Sequence, residues 1–382
     1  MKNISPVILA GGLSRRMHPI TSSQNPKQFN KAVHNPPLFE MALNLIQDNA
    51  FSKPIIVGNV VHKEAIQNYT QQYESIILEP IPKNTMASIL LASLYVEQAY
   101  GKDTIVLALP SDHLLTNKQK FLESVQNATG NNISLFGVKP TKPSTQYGYL
   151  KTTKHNNKLI TEKFMEKPPQ ELAQSFFEDN NFYWNSGIFL LKTSYYINLC
   201  KKFAPHTYNT IKKLFEEAQI DGNILTIGNE FQNIENISID YAILEKLNNI
   251  PTVEMLSPWS DLGSFESLYT EKLKHSVKIV QRLWGCYEVL EVGSGYKFKK
   301  LIINPRKSLS LQSHEFRSEH WTIINGTANV MNGKENTVLQ AGQSAFIPPL
   351  TQHKLSNETN DILEVFEIQL GEHLTEEDIT RY

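Results

Sequence analysis

The chain has 382 residues, 40% hydrophobic and 20% charged, a composition that supports a sizeable core and excludes both a disordered chain and a single small module. Lys and Arg total 37 against 38 Asp and Glu, so a net charge of −1 offers no basic field for nucleic acid or an anionic membrane. Small molecules or proteins are the expected partners, with a homo-oligomer left open.

Two cysteines, Cys200 and Cys286, stand far apart without a CxxC pair, which gives neither a disulfide framework nor a thiolate metal cage and points to a reducing cytoplasm. The apolar run Pro6 to Ala10 is shorter than a signal-peptide core, and no run approaches the roughly 18 apolar residues of a membrane helix. From there, short apolar runs alternate with helix-length segments. PVILA from Pro6 precedes a helical stretch near Leu38 to Asn49, PIIVG from Pro54 precedes a helix near Lys63 to Gln72, and SIILE from Ser75 precedes the amphipathic Ala87 to Tyr100 and then TIVLALP from Thr104. This βαβ rhythm predicts an α/β domain with a mixed, mostly parallel sheet, whose ligands sit at the carboxyl ends of the strands. The rhythm stops after about Leu268. A polar linker, 269–280, is expected between a first domain, 1–268, and a second, 281–382, whose short strands from YEVLEV to LEVFEIQL predict an all-β sandwich or barrel.

Directly after the first run comes LAGGLSRRMHPITSSQNPKQF, Leu9 to Phe29. Gly11 and Gly12 let the backbone approach a phosphate, and Arg15, Arg16 and Lys27 supply positive charge. The run resembles the GGxGTRxxPxTxxxPK loop of sugar nucleotidyltransferases and is most similar to that of bacterial mannose-1-phosphate guanylyltransferases, which continues to PKQF. In family order follow ILEPIPKNTMAS from Ile77, LPSDH from Leu109, STQYGYL from Ser144, FMEKP from Phe164, WNSGIF from Trp184, SIDYAILEK from Ser238 and WSDLGSF from Trp259. The resemblance implies a Rossmann-like nucleotidyltransferase domain that uses Mg²⁺, GTP and mannose 1-phosphate.

Nucleotidyl transfer brings two polyanions together, so cations and positioning carry it. A phosphate monoester is largely dianionic at pH 7 and needs no general base. Arg16 and Lys27 are the candidates for stabilising the triphosphate and the departing pyrophosphate, and Asp112 and Asp261 are oxygen donors of the kind that suit Mg²⁺. Carry-over from the family motifs places Gly148, Glu166, Lys167, Asn185 and Asp240 at the sugar phosphate, with Lys167 on its phosphate and Glu166 on its hydroxyls. It places Leu9, Ala10, Gly11, Gly12, Glu79 and Asn84 at the nucleotide, and the charge of Arg15 adds a candidate contact to the nucleotide's phosphates. Two positions depart from the pattern: Ser14 and Arg15 replace the family's Gly and Thr, and LAGGLSRRM is also similar to the molybdopterin guanylyltransferase loop, although the hexose-type motifs continue downstream.

The segment SLSLQSHEFRSEHWTIINGTANV from Ser308, with GQSAFIPPLTQHKLSN from Gly342, resembles the cupin (jelly-roll) domain of bifunctional mannose-6-phosphate isomerase/guanylyltransferases. That resemblance implies a second divalent metal held by Gln312, His314, Glu319 and His353. Phe316 stands where the family has a second His, and Leu350 where it has Gly. Arg381 matches a position that the family associates with isomerase activity. The expected function is therefore mannose-1-phosphate guanylyltransfer in nucleotide-sugar and polysaccharide biosynthesis. Its rivals are an additional or sole isomerase activity in the cupin domain, and a catalytically impaired regulatory protein that binds nucleotide sugars.

Overall fold

The computed structural model describes residues 4–13, 21–156, 158–263, 267–268 and 278–382. It separates into two compact units, Met1–Ser264 and Phe265–Tyr382. Most of the expected linker lies outside the described residues, and its last three positions already belong to the first strand of the second unit.

In the first unit the elements run β1 (Ile4–Ala10), α1 (Leu38–Leu45), β2 (Ile55–Asn59), α2 (Lys63–Tyr69), β3 (Ser75–Glu79), α3 (Asn84–Tyr100), β4 (Ile105–Pro110), β5 (Leu114–Leu115), α4 (Lys118–Ala128) and β6 (Ile133–Val138). They continue with β7 (Tyr149–His155), β8 (Lys158–Met165), α5 (Gln170–Glu178), β9 (Phe182–Lys192), α6 (Thr193–Phe203), α7 (Pro205–Glu216), β10 (Gln219–Asp221), β11 (Ile224–Thr226), α8 (Ile239–Ala242), β12 (Ile250–Glu254) and β13 (Trp259–Ser260). One sheet holds the order β10-β11-β3-β2-β1-β4-β9-β6-β12-β8-β7, while β13 pairs with β5. From β11 to β4 the neighbours are parallel, as the helical crossovers require. Beyond β4, the long β9 runs antiparallel to both its neighbours, and β7 and β8 form a hairpin.

The apolar runs are continuous because both faces of the sheet are covered. Val7, Ile55, Val57 and Ile77 pack into one core with α3, α6 and α7, and Ile8, Ile56, Ile76 and Leu78 pack into another with α1 and α4. Helix α3 starts at Asn84, three residues before the expected Ala87. It is buried on nearly all sides, from Met86 to Val96, because α6 and α7 cover the face turned away from the sheet.

The second unit contains β14 (Lys278–Arg282), β15 (Gly285–Gly293), β16 (Tyr296–Ile303), β17 (Gln312–Ser313), β18 (Arg317–Asn325), β19 (Thr327–Asn332), β20 (Glu335–Gln340), β21 (Ser344–Ile347), β22 (His353–Ser356), β23 (Leu363–Gly371) and β24 (Thr380–Arg381). They form a six-stranded sheet, β14-β15-β16-β23-β18-β21, and a five-stranded one, β20-β19-β22-β17-β24. Period-two alternation sends Arg317, Glu319, Trp321 and Ile323 of β18 inward, and likewise Leu363, Val365, Glu367 and Gln369 of β23. One end of the interior is therefore apolar, around Trp321, Ile323, Leu363 and Val365, and the other is lined by buried charged and amide groups.

Candidate active site

Strand β1 delivers the glycine loop to the carboxyl edge of the parallel half-sheet. The loop's carbonyls are clamped from below: Gln28, fully buried, donates from Nε2 to the carbonyls of Ala10 (3.1 Å) and Gly12 (3.0 Å). The Ser111 hydroxyl and amide both donate to the Leu9 carbonyl. Gly11 backs onto Glu79, since a Cβ there would stand 3.4 Å from Oε2 of that carboxyl. Burial pushes Glu79 up to about 8, against a 2.6 Å hydrogen bond from Ser88 that favours the ion, so the group is mostly protonated at neutral pH. Asn84 opens α3 in a left-handed conformation, φ 69°, and its carbonyl accepts a bond from Ser88. The remaining loop candidates, Arg15 and Arg16, together with Ser14, lie outside the described residues.

Lys27, 4% exposed, is the cation at the centre. Its ammonium lies 2.9 Å from the carboxylate of the half-buried Asp112 and donates to the main-chain carbonyl of Asp261. Partial burial raises the Asp112 pKa, but the neighbouring Lys27 and His113 outweigh it and hold the group at about 2. His113 Nε2 is 3.8 Å from the other Asp112 oxygen, and its Nδ1 accepts a 3.2 Å bond from the Trp259 indole. Burial lowers the His113 pKa, which favours the neutral ring with its proton on Nε2, facing Asp112. Asp261 Oδ1 accepts from the Tyr147 hydroxyl (2.9 Å) and the Gly263 amide (3.1 Å). One ammonium thus ties the Asp112 carboxylate to the main chain of Asp261, and the carboxylates of these two residues are hard oxygen donors of the kind that fit Mg²⁺.

Beside this cluster the sequence-predicted sugar residues also come together. Gly148 has no room for a side chain: a Cβ would lie 2.4 Å from Glu166 Oε2 and 2.8 Å from the Phe164 ring. Its carbonyl accepts from the Asn185 amide, and the Asn185 side chain donates to Asp240 at 2.8 Å. Burial and the like charge of Glu166 push Asp240 up to about 6. Lys167, half exposed and left-handed at φ 44°, pairs with Glu166 at 2.6 Å. The ammonium is exposed enough to exchange this carboxylate for another anionic partner.

In the second unit His314, Glu319 and His353 are buried and offer ligand atoms within 4.8 Å of one another. Each ring donates Nδ1–H to a carbonyl, His314 to Asp378 (3.1 Å) and His353 to Thr351 (2.8 Å), which turns both Nε2 atoms toward Glu319. The Nε2 of His353 is buried without a hydrogen-bond partner among the described residues, and burial lowers that ring's pKa, leaving a lone pair suited to a divalent cation. Despite burial, His314, Arg317 and His353 hold Glu319 well below the usual carboxylate range. Gln312 lines the adjoining cavity of about 230 Å³, together with Arg282, Lys299, Arg317, Glu367 and Arg381. Phe316, where the family has a second His, is 49% exposed and packs edge-on against His373, so it contributes nothing to this cluster.

Motif matching did not single out Gln28, Tyr147, Ser88, Arg317, Glu367 or Gln369. For Glu367 and Gln369 the only sequence signal is strand alternation. It is ambiguous in LEVFEIQL, because the opposite face, Phe366, Ile368 and Leu370, is equally apolar.

At the strand ends, a buried ammonium is held between the Asp112 carboxylate and the Asp261 main chain, beside the group of Gly148, Glu166, Lys167, Asn185 and Asp240. The chain belongs to the Nucleotidyl transferase family, which it matches over residues 5–276, and it carries a Mannose-6-phosphate isomerase C-terminal domain over residues 270–382. It is 28% identical over 461 aligned positions to the xanthan biosynthesis protein XanB of Xanthomonas campestris pv. campestris, covering 100% of this chain and 98% of that one. It is also 28% identical to mannose-1-phosphate guanylyltransferase 2 of Escherichia coli O157:H7, over 99% of this chain and 97% of that one. The fold matches a crystal structure of a mannose-6-phosphate isomerase from Helicobacter pylori with TM-score 0.58 and 27% identity, over 68% of this chain and 99% of that one. A crystal structure from Thermus thermophilus, described as a mannose-1-phosphate geranyltransferase, matches with TM-score 0.62 at 22% identity, over 70% of this chain and 78% of that one. Among the described residues no helix is long and apolar enough to cross a membrane.

Proposed function

We propose that the first unit is a cytoplasmic mannose-1-phosphate guanylyltransferase, converting GTP and α-D-mannose 1-phosphate to GDP-mannose and diphosphate for polysaccharide synthesis. The observation that carries this reading is the pairing of Lys27 with Asp112 and the Asp261 carbonyl, next to the pocket of Gly148, Glu166, Lys167, Asn185 and Asp240. A phosphate oxygen of the sugar phosphate attacks the α-phosphorus of GTP, forming one P–O bond as the bond to diphosphate breaks. The incoming monoester is already ionised, so no side chain has to take its proton. Lys167 draws the sugar phosphate in by replacing its contact with Glu166, and Glu166 is then free to accept from sugar hydroxyls. Lys27 stabilises the charge that builds on the departing diphosphate. Asp112 and Asp261 are the residues to hold Mg²⁺, which supplies neutralisation of the phosphate charges when bound. The neutral Glu79, behind Gly11, can donate as well as accept toward a base edge.

The test is diphosphate release by the purified protein with Mg²⁺ and mannose 1-phosphate, comparing GTP with ATP, CTP, UTP and dTTP. Release with GTP alone supports the reading. Release with another nucleotide moves the specificity, and none with any nucleotide favours a regulatory protein.

A second reading, isomerisation between fructose 6-phosphate and mannose 6-phosphate in the cupin unit, has its own support in the His314, Glu319 and His353 cluster and the cation-lined cavity beside it. Interconversion of the two phosphates in the presence of Co²⁺ or Zn²⁺, lost in His314→Ala, tests it.

A further inference from the structure

Tyr147 belongs to neither group of site residues but touches both. The following residue, Gly148, forms the floor of the sugar pocket against Glu166. The Tyr147 ring is packed edge-on between Trp184 (4.8 Å), which precedes Asn185, and Trp259 (5.3 Å), whose indole holds His113 beside Asp112. Its hydroxyl donates to Oδ1 of Asp261 at 2.9 Å. The Gly263 amide donates to the same oxygen. Both bonds fall on Oδ1, so the carboxylate is locked in one rotation with Oδ2 turned away from them. A ring held by two indoles has little freedom, which makes its hydroxyl a fixed reference point for Asp261.

We propose that Tyr147 is a positioning residue for the reaction: its hydroxyl fixes the Asp261 carboxylate in the orientation that receives the divalent cation. The inference rests on the guanylyltransferase reading for its metal and substrates. In this role Tyr147 acts through Asp261. Loss of its hydroxyl frees Asp261 to rotate about its side-chain bonds, so the cation meets one ordered carboxylate instead of two. Groups that orient a metal ligand typically change metal affinity or activity about 10–100-fold when removed.

The experiment is a double-mutant cycle on Tyr147→Phe and Asp261→Asn in the full chain. The primary readout is Mn²⁺ binding followed by electron paramagnetic resonance, with the α,β-methylene analogue of GTP present. Tyr147→Phe keeps the ring between the two indoles, so thermal unfolding should be close to that of the unmodified protein. The expected result is about 10-fold weaker Mn²⁺ binding in the otherwise unmodified chain and less than about 2-fold in the Asp261→Asn background, because the two residues act as a unit. In turnover assays, kcat should fall while the KM for mannose 1-phosphate stays nearly constant. Equal effects in both backgrounds, no effect in either, or no Mn²⁺ bound by the unmodified protein would each overturn the proposal. The binding cycle needs no turnover. A protein that binds Mn²⁺ with the coupling described but releases no diphosphate would refute the reaction and leave the role of Tyr147 standing.

Discussion

The ammonium of Lys27 lies 2.9 Å from the carboxylate of Asp112 and also donates to the Asp261 carbonyl, so one buried cation ties together segments more than 200 residues apart in sequence. Asp112→Asn removes a proposed metal ligand and leaves Lys27 buried with a weaker partner. Turnover should fall by roughly two to three orders of magnitude, the scale of losing one transition-state electrostatic contact. Stability should drop by about 1–3 kcal/mol in urea unfolding. Near-normal Mg²⁺-dependent turnover would remove Asp112 from the metal site.

Lys167→Ala should raise the KM for the sugar phosphate about 10-fold or more, with the KM for nucleotide nearly unchanged, because a charged hydrogen bond to phosphate is worth about 1.5–3 kcal/mol. Lys167 sits at φ 44°, so Ala retains the strained backbone and the comparison isolates the ammonium. Equal changes in the two KM values would refute the division of roles.

Glu79 predicts a pH dependence of stability. In the folded state burial holds its pKa at about 8, whereas in the unfolded chain it falls to about 4.3. Between those values the unfolded chain binds fewer protons, so this group's contribution is complete below pH ~4 and is lost as pH rises through about 8. Glu79→Gln keeps an acceptor for Ser88 and does not ionise. Denaturant midpoints for that variant should decline less between pH 6 and pH 9, at about the range where the carboxyl titrates. An identical decline in both proteins would show that the carboxyl is ionised throughout.

The Leu350 backbone is left-handed, φ 64°, and its side chain is 74% exposed, so it bears strain with little burial in return. Leu350→Gly should stabilise the cupin unit by no more than about 1 kcal/mol, the left-handed penalty less the extra chain entropy of glycine. A loss of stability would mean that the side chain makes contacts worth more than the strain.

Zn²⁺ or Co²⁺ should raise the melting temperature of the cupin unit in proportion to the logarithm of metal concentration. Glu319→Gln should abolish the shift. A shift that survives the substitution would place the metal elsewhere.

The parts of this molecule that sequence makes legible are those where local chemistry repeats. The βαβ rhythm gives the parallel half-sheet, and short motifs give Lys27, Asp112, Glu166 and Asp240, which the fold brings into two neighbouring clusters. Legibility fails where the partner is distant and its residue type is ordinary. Gln28 clamping Ala10 and Gly12 is such a case, and so is Tyr147 reaching Asp261 across 114 positions. The antiparallel half is hidden for a different reason. The span of β9 carries the WNSG motif and reads as a site, while its pairing with β4, β6 and β7 depends on long-range register.

The four tryptophans of the chain are distributed in a way that makes its ultraviolet emission informative. Trp184 and Trp259 flank Tyr147 in the first unit. In the second, Trp321 donates to Glu319 and packs on His353, while Trp284 lines the adjoining cavity. No indole is spent elsewhere in the sequence, so tryptophan emission, excited apart from that of the 15 tyrosines, comes from these two regions alone. With Trp259→Phe and Trp284→Phe as reference proteins, quenching by nucleotide and quenching by a transition metal can be told apart in one cuvette, without a label.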